Sequence, residues 1–77
     1  MEFLKLVHLI EEPDLRHQAL SGYKGPFSLG VGGGVTAPCV ILEVDKKATA
    51  PFPRMLKIQG ETVPLIVRYG FVAPYAL

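Results

Sequence analysis

The sequence predicts an α+β fold, with an N-terminal helix or helix pair packed on a small, mostly antiparallel sheet of three to four strands. Three observations predict it. Apolar residues recur at helical spacing near the N-terminus. From Phe27 onward they alternate or run in short β-branched stretches between glycine- and proline-containing turns. Helical and strand patterns also follow one another without βαβ alternation, which disfavours a parallel α/β sheet. The 77 residues are enough for one domain, 1–77.

Residues 2–11 read as an amphipathic helix. Phe3, Leu6, Val7 and Ile10 follow the i, i+3, i+4, i+7 rule, Leu4 borders that face, and Glu2, Lys5 and His8 lie opposite. A strand reading competes, because Leu4, Leu6, His8 and Ile10 also alternate. Glu11-Glu12-Pro13-Asp14 then opens a second helix through Leu20. Proline costs nothing in a first helical turn, and acids favour the positive end of the helix dipole. Ser21-Gly22 ends it. One kinked helix over the same span is the alternative.

Strands are expected at residues 27–31 and, most strongly, at 39–44. The glycines between them suit a tight turn, and 45–54 suits a loop. Residues 55–59 and 62–68 read as two strands joined through Gly60-Glu61. Pro64 argues for an edge position or a bulge in the second of them.

Composition narrows the function classes. A chain this short has a thin margin of stability, and small domains gain reinforcement from disulfides, a structural metal or association. Cys39 is the only cysteine, so no disulfide forms within the chain. One Cys and two His fall short of a zinc ligand set. Association is left. The 49% apolar and 19% charged content argues the same way and against disorder. Residues 1–45 carry six acids and three bases, whereas 46–77 carry one acid and five bases, giving parts near −3 and +4 that can attract each other. A nucleic-acid partner is disfavoured, because the net charge is only +1. No run approaches the about 18 apolar residues needed to span a bilayer. Glu2 stands where a signal peptide would carry positive charge, so a cytoplasmic location is expected.

No catalytic constellation, metal set or cofactor motif emerges. Gly30-Val31-Gly32-Gly33-Gly34-Val35 suggests a phosphate cradle, but Val35 stands where a dinucleotide fingerprint needs its third glycine. Gly-Lys-Ser/Thr is also missing. Cys39 heads an apolar strand and reads as buried and inert, and His8 and His17 read as surface residues. An anion contact through Gly32, Gly33, Lys46 and Lys47 is the alternative reading, with the Gly30–Gly34 turn and the lysines binding a small molecule. After Arg68 the chain has no charged side chain. The protein is therefore expected to self-associate through its sheet edge and C-terminal tail, with Phe71, Val72, Tyr75 and Leu77 as interface residues.

Gly30-Val31-Gly32-Gly33-Gly34, then Val40-Ile41-Leu42-Glu43-Val44-Asp45-Lys46-Lys47, then Ile58-Gln59-Gly60-Glu61-Thr62-Val63-Pro64-Leu65-Ile66-Val67 follow one another in order. This succession resembles the small α+β domain that precedes the catalytic domain in some bacterial trypsin-like serine proteases, over about residues 27–73. The resemblance implies an accessory α+β module. The protease domain is absent from this chain, as is a Gly-Asp-Ser-Gly nucleophile motif, so no catalytic residue carries over. The function expected is that of a small non-enzymatic module for protein–protein interaction, either homo-oligomeric or with a protein partner, and without a membrane partner or cofactor.

Overall fold

The computed structural model describes residues 1–72. Two helices, α1 (Phe3–Leu9) and α2 (Pro13–Leu20), precede four strands, β1 (Phe27–Gly33), β2 (Pro38–Val44), β3 (Met55–Ile58) and β4 (Glu61–Tyr69). The helices pack on the sheet, as the sequence predicts.

The break between the helices comes from Pro13, which takes the first turn of α2, with Glu12 extended ahead of it. Two separate helices therefore form. α2 stops at Ser21, whose φ of 50° is left-handed, and Gly22 follows at φ 88°. The left-handed cap is thus a serine, held by its N–H donating to the His17 carbonyl and its Oγ donating to the Gln18 carbonyl. In α1 the buried face centres on Leu6, with Phe3 and Ile10 half-buried. Val7 is 39% exposed, so it lies outside the face that periodicity assigns it.

The sheet order is β1-β2-β4-β3. β1 and β2 form an antiparallel hairpin, β3 and β4 form another, and β2 runs parallel to β4. That central parallel pairing is invisible in the sequence, because the connection from β2 to β4 passes through β3 at the far edge. Pro64 lies in β4, a central strand, yet its position is locally an edge. β4 pairs with β3 over Glu61–Pro64 and with β2 only from Leu65. Proline's missing N–H falls where β4 has one neighbour.

Alternation along the strands aims one face at the helices. Val40, Leu42 and Val44 are fully buried there, joined by Leu56, Ile58, Val63 and Leu65, and Leu6, Leu15 and Ala19 close over them. Each large apolar side chain fully covered contributes roughly 1.5–3 kcal/mol. At one end of the sheet, Phe52 stacks edge-on against Tyr23 and Tyr69, with centroids 5.7 and 6.5 Å away. The Tyr23 hydroxyl donates to the Pro26 carbonyl and accepts the Asp45 N–H, tying the chain entering β1 to the chain leaving β2.

At the other end, the Met1 α-ammonium lies 3.0 Å from Glu61 Oε1 and Lys5 Nζ lies 3.8 Å from Glu61 Oε2. The hydrogen bond from that ammonium, and then its charge, hold the Glu61 carboxyl below the usual carboxylate range. Among the described residues the ion pairs thus join a base of the acidic part to the one acid of the basic part. They are not pairs between the two surplus charges.

Candidate interaction surface

The face of the sheet turned away from the helices follows from strand register. The pairs Ser28↔Glu43, Gly30↔Ile41 and Gly32↔Cys39 place these residues opposite the core face, and Ile41↔Ile66, Glu43↔Arg68 and Met55↔Pro64 continue the surface across the sheet. Its middle is apolar. Ile66 is 43% exposed and Met55 47%, with Ile41 half-buried between the hairpins. β1 contributes only the Ser28 side chain, since Gly30 and Gly32 carry none there. A Cβ on Gly32 would collide with Ile41 Cδ1, so that isoleucine lies flat across the glycine. Glu43 and Arg68, cross-strand neighbours, bound the apolar area with opposite charges.

The two outer strands are treated differently. β3 has four residues, and its edge is occupied by α2. Gln18 Nε2 donates to the Lys57 carbonyl at 3.0 Å and Gln18 Oε1 accepts the Lys57 N–H at 2.6 Å, so the carboxamide stands where a neighbouring strand's peptide group would stand. β1 has seven residues without a charge or a proline, and among the described residues β2 is its one neighbour. Among the described residues, no backbone or side-chain hydrogen bond outside the β1–β2 ladder reaches Phe27–Gly33. Half of the strand's backbone polar groups therefore face outward. The sequence suggests association through a sheet edge, but beside Pro64 and the C-terminal tail and not at β1. The signal for β1 was available as a strand-like run without charge or proline.

The residues singled out from the sequence fall in different places. Gly32 and Gly33 end β1, opposite Cys39 and Pro38, whereas Lys46 and Lys47 follow β2 beyond Val44, which pairs with Phe27. β1 spans about 20 Å at strand rise. The glycines and the lysines thus stand at opposite ends of one hairpin, and the fold does not bring them together. The Lys47 N–H is bound by Asp45 Oδ1, and both lysine side chains are exposed. Cys39 is buried, on the sheet face opposite the core, beside Gly32 and Gly33. His8 and His17 are exposed. Phe71 is half-buried and its N–H, like that of Gly70, donates to the Val44 carbonyl. Val72 is 77% exposed. Tyr75 and Leu77 lie outside the described residues.

A cleft of about 390 Å³ opens between α2 and β3, lined by Leu9, Glu12, Asp14, Gln18, Lys57 and Gln59 among others. Its two carboxylates are exposed and Gln18 is engaged with β3, so it holds no buried acid–base pair. Among the described residues no group of three His, Cys, Asp or Glu is arranged to hold a metal ion. No helix among them is long and apolar enough to cross a membrane. Comparison with protein-family models, with curated proteins and with solved structures finds no match for this chain, so its function is argued from its own surface.

Proposed function

We propose that the protein is a small non-enzymatic interaction module that self-associates. The observation that carries the proposal is the one-sided sheet: helices cover one face, while the other presents Ile41, Ile66 and Met55 beside an uncharged strand edge. Water-exposed apolar surface and unpaired backbone groups both gain by being covered. Size supports the same reading. A chain of 77 residues buries a smaller fraction of its surface than a larger domain, and association adds to that burial. The expected solution mass, by light scattering across a dilution series, is twice the chain mass at high concentration, falling toward one at low concentration. A protein that stays at one chain mass at its solubility limit overturns the reading.

A further inference from the structure

We infer that a second copy of this chain binds along the β1 edge, strand to strand and antiparallel, with the two-fold axis at Gly30. The inference deepens the proposed self-association and rests on it by naming the surface used. Hydrogen-bonding chemistry selects the occupant type, because a row of outward N–H and C=O groups from Phe27 to Gly33 is satisfied by another extended strand.

Three observations select a second copy as that strand. First, β1 has no charged side chain, so an antiparallel copy brings no like charges together. Second, a dyad at Gly30 gives complementary pairs. Leu29 meets the partner's Val31 on the core side, extending the half-buried row of the β1 core face. On the open face Ser28 meets the partner's Gly32, and Gly30 meets the partner's Gly30 with nothing protruding. Third, α1 packs against β1 and carries Leu4 at 63% and Val7 at 39% exposure. Lys5 reaches Glu61 on β4, and Val7 projects from the opposite side of the helix. Pairing at β1 brings the two α1 flanks alongside each other, where these side chains gain cover. Because Gln18 seals the β3 edge, the assembly closes at two copies and does not extend into a fibre.

Gly30 supplies the test, since a Cβ there meets nothing within 4 Å and a new side chain leaves the fold unstrained. Gly30→Lys and Gly30→Asp each set like charges face to face across the dyad. Each variant alone is expected to dissociate at least about tenfold more readily than wild type by light scattering and sedimentation. An equimolar mixture of the two is expected to recover a dimer. Gly30→Ser, which adds bulk without charge, is expected to remain dimeric. Circular dichroism and thermal melting check that each variant is folded. A wild-type dimer that persists unchanged in both charged variants overturns the β1 assignment and leaves self-association standing through another surface. A wild-type protein that stays monomeric overturns both readings. A monomer that instead takes up a synthetic peptide of residues 27–33 also overturns the second-copy assignment.

Discussion

At Gly33 the chain leaves β1 with φ 78°, and a Cβ built there would stand 2.5 Å from the Ala37 carbonyl oxygen and 3.4 Å from the Cys39 nitrogen. Both the backbone angle and the backbone contact demand glycine, and neither can be relieved by turning a flexible side chain. Gly34, next along, has open space and no such angle. Gly33→Ala is therefore expected to destabilise the fold by about 1–3 kcal/mol. Gly34→Ala should stay within about 0.5 kcal/mol of wild type. Urea midpoints at unchanged m-value read the difference, and equal midpoints for the two variants would refute this account of the turn. Gly33 is thus explained by the geometry of a hairpin, but the glycines are not the turn that the sequence suggested: Gly30, Gly32 and Gly33 lie within β1, and the connection to β2 follows at residues 34–37. The apolar setting of Cys39 made its burial legible. What could not be read was the face: Cys39 is buried on the side of the sheet away from the core, and only strand register reveals that.

Gln18 shows how a helix residue can complete a sheet. Its carboxamide presents one donor and one acceptor in the plane of the β3 edge, both used on Lys57. Gln18→Leu removes both bonds, with an expected loss of roughly 1–2 kcal/mol at this exposed edge. Gln18→Glu keeps the acceptor and loses the donor, and should fall between the two. With the β3 edge unsealed, Gln18→Leu should also form species larger than a dimer in light scattering. A Gln18→Glu protein as stable as wild type would show that the bond to the Lys57 carbonyl adds nothing. Element positions themselves were mostly legible. Helical spacing, Pro13 and the β-branched run of β2 place α1, α2 and β2 close to where they form. Their assembly was not legible, because the partners of Gln18 lie 39 residues away and β4 exchanges its neighbour from β3 to β2 beside Pro64. Local propensity carries no information about either.

At the scale of the fold, the helices cover one face of a four-stranded sheet, and ten buried apolar side chains among the described residues form the core. Phe27, Leu29 and Val31 are only half-buried at its β1 margin. A second copy paired at β1 prolongs that margin into a shared apolar row, so folding and association should stabilise each other. For a dimer that unfolds to two free chains, a tenfold rise in concentration adds about 1.4 kcal/mol per dimer, about half of that per chain. In a domain of this size one kcal/mol moves the melting temperature by about 4–8 °C, so each tenfold step should raise Tm by about 3–6 °C. Differential scanning calorimetry over two tenfold steps resolves such a slope. Gly30→Lys should melt at a concentration-independent temperature, because its unfolding starts from one chain. Any association of folded chains gives such a slope, so the comparison with Gly30→Lys assigns the surface: a slope that persists in that variant would place the contact elsewhere, as on the face carrying exposed Ile66 and Met55. A flat wild-type Tm over these two steps would mean that folded chains do not associate in that range, and would overturn strand pairing together with self-association.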